Sequence, residues 1–230
     1  MRKQVFLVIG LMVAFLVVTA CSPAPEKGLL SKYFNAMTLN DNQTMASMAL
    51  QPIQIELDSW QILNVGPETI TPAILAALNA KELELKKEVE GNIGPTVEAK
   101  DLLDIAQEDM DTARTSAARA AAKRKVDELQ AKYDAQYARH KELQQSYNDA
   151  KKAAADEEEM TKFSLGVREL ATIRELTGNV HSKEVEISIR NKAGATLKYR
   201  LFMKQYGLRD EVNNLRHNGR WVIIKFEPIA

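Results

Sequence analysis

Apolar residues change their spacing several times along this chain, and each change predicts a different element. Leu29, Leu30, Tyr33, Phe34 and Met37 recur every three or four residues, the signature of a helix with one buried face. Asn40-Asp41-Asn42 interrupts that face, and Asp41 is placed to cap a second, short helix carrying Met45, Met48 and Ala49, which Pro52 ends. The spacing then falls to two. Ile53, Ile55 and Leu57 alternate with Gln54 and Glu56 as a half-buried strand, and Trp60 to Val65 extends it as far as Gly66-Pro67.

The middle of the chain returns to helical spacing. Thr71-Pro72 predicts a helix start, Ile74, Leu75, Leu78, Leu85 and Val89 supply a face, and Gly91-Asn92-Ile93-Gly94-Pro95 predicts a stop. From Thr96 to Leu165 there is neither Gly nor Pro. Such a run, rich in Ala, Glu, Lys, Gln and Arg, predicts a long helix or coiled coil, roughly 100 Å if continuous. A seam of three-four spacing runs through Leu103, Ala106, Met110, Ala113, Ala117 and Ala120. It resumes in another phase at Val126, Leu129, Tyr133, Gln136, His140, Leu143, Tyr147, Ala150 and Ala154. A stutter or a hairpin tip would produce that break. The Ala-rich stretch Ser116 to Lys125 favours an unbroken helix, with Pro72 to Glu90 folding back on part of it.

That seam buries little. Alanine offers a small fraction of the apolar area of leucine, and Gln136 and His140 put polar groups at core-like positions. The expectation is a helical insertion that needs a partner along residues 97–160: its other helix, a second copy or another protein. His140 reads as a seam histidine rather than a metal ligand. Arg119, Lys123, Arg124 and Lys125 form a basic cluster and Asp156 to Glu159 an acidic one, both read as solvated helix faces that could pair between antiparallel copies.

Period-two spacing dominates the C-terminal part. Val167 to Leu176 is expected as one strand with Thr177-Gly178-Asn179 as its turn, and Val185, Ile187 and Ile189 mark the next. Asn191-Lys192-Ala193-Gly194 predicts a hairpin turn, after which Leu197, Tyr199, Leu201 and Met203 alternate. A polar link from Asp210 to Gly219 leads to a last strand, Arg220 to Phe226. Neither end can cover its own apolar face, so the two are expected to form one α+β base domain, residues 29–70 with 166–230: a small antiparallel sheet packed on the N-terminal helices. Residues 71–165 are then a long helical, coiled-coil-like insertion.

The first residues carry a different message. Met1-Arg2-Lys3 is basic and Val5 to Val18 is uncharged and apolar. Fourteen residues reach roughly 21 Å, short of a bilayer core, so residues 1–20 are expected to be a secretory signal peptide. Val18-Thr19-Ala20-Cys21 resembles the lipobox of bacterial lipoprotein precursors. That resemblance implies cleavage before Cys21, diacylglyceryl transfer to its thiol and acylation of the new amino group. Two or more acyl chains hold a protein stably on a bilayer where one does not. Residues 21–28, with Pro23 and Pro25, are expected to be an extended lipidated tether. Ser22, which is not Asp, implies within that family sorting to the outer membrane, facing the periplasm.

The two ends carry a second resemblance. The order helix, helix, strand and antiparallel meander, with Tyr33-Phe34-Asn35-Ala36-Met37 at one end and Asn218-Gly219-Arg220-Trp221-Val222-Ile223 at the other, is similar to nuclear transport factor 2-like (cystatin-like) lipoproteins. The resemblance implies a helix packed across a curved sheet as a cone, and Tyr33, Phe34, Trp60, Tyr199 and Trp221 as possible ligand-pocket residues. Core packing is the competing role for these aromatics, and the commoner one. The long helical insertion departs from that family's pattern.

Charge and chemistry narrow the function classes. The 31 basic and 31 acidic residues cancel, and losing Arg2 and Lys3 would leave about −2; this is not the footprint of a nucleic-acid binder. One cysteine permits no internal disulfide, and the three histidines, His140, His181 and His217, are far apart. No G-x-S-x-G, H-E-x-x-H or Gly-rich phosphate loop occurs. The sequence therefore predicts a non-enzymatic envelope lipoprotein, without cofactor or metal, that contacts a partner through its helical insertion. A small-molecule or lipid-binding cone is the second reading.

Overall fold

The computed structural model describes residues 24–229. The expected signal peptide, Cys21 and the rest of the tether before Ala24 lie outside the described residues. The chain is α+β: N-terminal helices, an antiparallel sheet and a long helical insertion. It divides into two compact units, one holding the chain up to Pro72 with 160–169 and 178 onward, the other 73–159 with 170–177. The second unit thus combines most of the helical insertion with a segment that follows it in sequence.

In the first unit, α1 (Pro25–Thr38) starts inside the segment expected to be extended tether. Proline is well suited to a first turn, where its missing N–H leaves nothing unsatisfied and its φ is already helical. Glu26 turns inward and its carboxylate meets Lys183 Nζ at 3.3 Å, tying this turn to the sheet. Asp41 caps α2 (Asn42–Met48) as expected, Oδ1 accepting from the Thr44 N–H at 3.0 Å. The end of α2 is pinned to the last strand, the Leu50 N–H donating to the Ile223 carbonyl at 2.9 Å.

Strand β1 (Leu57–Val65) begins four residues later than the alternation predicts. The reason is a side chain: the Ile53 N–H donates to Tyr33 Oη at 3.0 Å, and Tyr33 donates back to the Ile53 carbonyl at 3.3 Å. That backbone is satisfied without a neighbouring strand. Thr71-Pro72, expected to open a helix, instead closes the edge strand β2 (Thr69–Pro72), where a missing donor is tolerated.

Two fifteen-residue strands, β3 (Thr177–Asn191) and β4 (Thr196–Asp210), form the middle of the sheet. β1 and β2 share the outer side of β3; β5 (Leu215–Asn218) and β6 (Val222–Ile229) share that of β4. The Asn191–Gly194 turn is present, with Gly194 at φ 85°. Thr177-Gly178-Asn179 is strand rather than turn. Gly178, at φ 142°, passes so close to Gly207 that a Cβ would collide with its carbonyl. The polar link after Asp210 contains β5, which the sequence does not announce.

Residues 167–176 are not the expected strand. α4 (Ser116–Leu165) stops in a glycine cap: Gly166 sits at φ 69°, its N–H bonds the Phe163 carbonyl, and the Val167 N–H bonds that of Lys162 at 3.2 Å. A 3-10 turn, Ile173–Glu175, follows, burying Ile173 and Leu176 at i and i+3.

The second unit is a helical hairpin. α3 (Leu75–Thr112) does not stop at Gly91–Pro95 but runs through it, about 57 Å long. Its inward positions explain why: Leu75, Leu78, Glu82, Leu85, Val89, Asn92, Thr96, Ala99, Leu103, Ala106 and Met110 keep strict three-four spacing across Pro95, and all are buried or half-buried. Packing of that continuous seam against α4 outweighs the ~3 kcal/mol by which Pro is worse than Ala inside a helix. Asn92 and Thr96 reinforce the weak point, the Thr96 hydroxyl donating to the Asn92 carbonyl at 2.7 Å. The unbroken helix expected over 96–165 is therefore corrected to a hairpin. Its tip is Ala113-Arg114-Thr115, and Thr115 Oγ1 accepts from the Ala118 N–H at 3.2 Å. The inward face of α4 runs through Val126, Leu129, Tyr133, Gln136, His140, Leu143, Tyr147, Ala150 and Ala154, the second seam read from the sequence.

Candidate functional site

All five aromatics expected as pocket residues lie in or against one packed core, and four of them are linked ring to ring. Tyr33 and Phe34, on successive positions of α1, are wholly buried and meet edge to face at 5.3 Å. Phe34 stacks on Trp60 of β1 at 4.8 Å, Tyr33 lies 5.3 Å from Phe226 of β6, and Tyr199 of β4 reaches Phe226 edge-on at 6.4 Å. With Leu30, Met37, Ile187, Ile189, Leu201 and Met203 they make up the core between α1 and the sheet. Burial pushes the Tyr33 phenol up to about 12, the hydrogen bond from the Ile53 N–H only partly opposing it, so this hydroxyl is a fixed structural hydrogen-bonding group. Tyr33, Phe34, Trp60 and Tyr199 act as core and line neither the groove beside Trp221 nor the one beside residues 54–57.

Trp221 is partly buried and packs against the same core. It sits half-exposed beside Lys183, whose ammonium lies 5.5 Å from its ring, and His181, 6.5 Å away edge-on. Lys183 bridges Glu26 at 3.3 Å and Glu68 at 3.4 Å, and His181 Nδ1 meets Glu68 at 2.6 Å. The His181 hydrogen bond first, then Lys183, hold the Glu68 carboxyl below its ordinary value against some desolvation. On its other side Trp221 lines a shallow, mainly apolar groove of about 420 Å³ with Pro25, Leu29 and Met48, rimmed by Lys32 and Arg220. A second groove of similar size lies between the ends of α1 and α2 and residues 54–57, with Met37, Met45, Asn40 and Gln54 in its walls.

Arg220-Trp221 is held in place through its neighbour. Gly219 faces the last turn of α4, where a Cβ would collide with Ser164 Oγ and lie 2.9 Å from the Tyr206 carbonyl. Ser164 Oγ donates to the Arg220 carbonyl at 2.8 Å and accepts from the Tyr206 N–H at 3.2 Å. The glycine of the Asn-Gly-Arg-Trp run thus has a packing reason that the sequence alone does not state.

In the hairpin the notable feature is what stays outside the seam. Leu83, Ile93, Val97, Leu102 and Ile105 of α3 and Tyr137 of α4 are 42–55% exposed. Ile93, Thr96 and Val97 face Tyr133, Tyr137 and His140 across a groove of about 320 Å³. The two tyrosines stack at 5.7 Å, Lys141 caps Tyr137 at 4.5 Å, and His140 Nδ1 is buried without a hydrogen-bond partner. At the other end of the hairpin Arg174 clamps both helices, reaching Glu82 at 2.8 Å and Glu158 at 2.5 Å; Glu158 comes first among the causes that raise its pKa. Of the expected basic cluster, Lys125 pairs with Asp109 of α3 at 3.8 Å, so part of that charge is answered within the hairpin.

Among the described residues no group of three His, Cys, Asp or Glu could hold a metal ion, and no helix is long and apolar enough to cross a membrane. No family model, curated protein or solved structure matches the chain.

Proposed function

We propose that this chain is an envelope lipoprotein, anchored by acylated Cys21 in the outer membrane and facing the periplasm, whose helical hairpin binds a protein partner or a second copy of itself. The observation that carries the partner-binding reading is the set of large apolar side chains left outside a seam already occupied by the other helix. Isolated exposed apolar residues are ordinary, but six on one hairpin, several beside an apolar groove, have the composition of a contact surface. The lipobox-like run ending at Cys21 supports the anchor, and the helix-on-sheet base supports the kinship with nuclear transport factor 2-like lipoproteins. Burial of Tyr33, Phe34 and Trp60 favours the hairpin over the cone as the binding element.

Metabolic labelling with a fatty acid tests the anchor: the native chain takes up label and Cys21→Ala does not. Label retained by Cys21→Ala would overturn it. For the hairpin, Val97→Asp with Ile105→Asp should leave the fold intact by circular dichroism and abolish the contact.

A further inference from the structure

We propose that the face of the first unit around the start of α1 rests on the bilayer, with Trp221, Leu29 and Met48 in the headgroup region and Lys32 and Arg220 on lipid phosphates. The proposal builds on the lipid-anchor reading. Cys21 and Ala24 are three peptide units apart, so whatever path the chain takes between them, their Cα atoms are separated by at most about 11 Å. If the acyl chains on Cys21 are in the membrane, whatever surrounds Ala24 is at its surface.

What surrounds Ala24 suits that position. The groove beside it is walled by Pro25, Leu29, Met48 and Trp221, and its charged lining residues, Lys32 and Arg220, are both cationic. The nearby carboxylate of Glu26 is turned away and paired with Lys183. An indole with a polar edge, two apolar side chains and two long cationic ones form the set that favours a headgroup boundary, where apolar area enters the acyl region and ammonium or guanidinium groups meet phosphate. Arg220 is also held for this role, its guanidinium bonding the Ser47 carbonyl at 2.9 Å and lying 5.8 Å over the Phe163 ring. The far end of α1 provides an internal contrast. Leu39, capping the helix about 21 Å away, is 78% exposed, but it is flanked by Asn40 and Asp41.

The chain has a single cysteine, which makes the test direct. The protein from Ser22 onward, with a hexahistidine tag in place of Cys21, is tethered to phosphatidylglycerol vesicles containing a nickel-chelating lipid. An environment-sensitive nitrobenzoxadiazole label is placed on a new cysteine at Leu29→Cys, Met48→Cys or Leu39→Cys. Labels at 29 and 48 should brighten several-fold and shift to the blue on tethering, the label at 39 should not, and Lys32→Glu should reduce the gain at 29. Labels at 29 and 48 that stay as wet as the one at 39 would overturn the proposal. Because the tether is synthetic, that failure bears on this face alone, whereas acyl labelling of Cys21 bears on the anchor alone.

Discussion

The two units are built from opposite materials. The first is organised around large side chains removed completely from water: Tyr33, Phe34, Leu30, Met45, Ile187, Ile189, Leu201, Met203 and Ile223. The second holds two helices together with a seam in which large residues such as Leu75, Leu85, Val89 and Leu103 are interspersed with small or polar ones, Ala99, Ala106, Ala150 and Ala154, and Asn92, Thr96, Gln136 and His140. Each aromatic buried in the first contributes several kcal/mol, whereas an alanine pair contributes a fraction of one. The hairpin holds fewer large side chains wholly out of water and leaves Leu83, Ile93, Val97, Leu102, Ile105 and Tyr137 outside its seam, a balance that suits an element that completes its packing on something else.

The largest effect that would sharpen this contrast lies in the base. Phe34→Ala should lose about 3–5 kcal/mol through the cavity it opens against Trp60. Hydrogen exchange resolved by segment should show that loss in β3 and β4; protection unchanged there would mean the aromatic cluster is not the core. The hairpin offers the opposite sign. Pro95→Ala should raise its stability by about 2–3 kcal/mol, because α3 is continuous through position 95 and needs only the missing donor. No gain in urea unfolding would mean the helix is broken at Gly91–Pro95 after all.

Arg174→Ala should cost about 2 kcal/mol and be felt in the hairpin rather than the sheet, since Glu82 and Glu158, both mostly buried, lose a shared cation. Arg174→Lys should recover only part, having no fork to serve two carboxylates. The smallest effect is acid sensitivity. A carboxyl held lower when folded, as Glu68 is, contributes stability in full above its unfolded pKa and loses it as pH falls through the lowered folded one. Below the ordinary value of 4.5 the base should weaken measurably, and Glu68→Gln should flatten that limb of the pH profile.

Sequence made some of this legible and not the rest, for physical reasons. Val126 to Ala154 could be traced because a seam repeats itself, and β3 because Val185, Ile187 and Ile189 alternate cleanly. The hairpin tip at Ala113-Arg114-Thr115 is not legible, because the high helix propensity of Ser116–Lys125 favours an unbroken helix and says nothing about a turn before it. Gly91–Pro95 reads as a stop because local propensity cannot register a seam of eleven positions that continues through it. The start of β1 depends on Tyr33 Oη, twenty residues away, and Gly178 and Gly219 on backbones that come near only in three dimensions. The five aromatics are legible as a group, but how far each is buried decides between pocket and core, and burial is a property of the fold.

The most direct measurement of the central claim is site-specific photo-cross-linking in intact cells. A photoreactive residue is placed at Val97, Leu102, Ile105 or Tyr137, and in parallel at the inward Leu103 and Ala106. A hairpin that binds a partner or a second copy should give one discrete, reproducible adduct from the exposed positions and none to another chain from the inward ones. Exposed positions that capture nothing, or that capture at random alongside the inward ones, would contradict the claim.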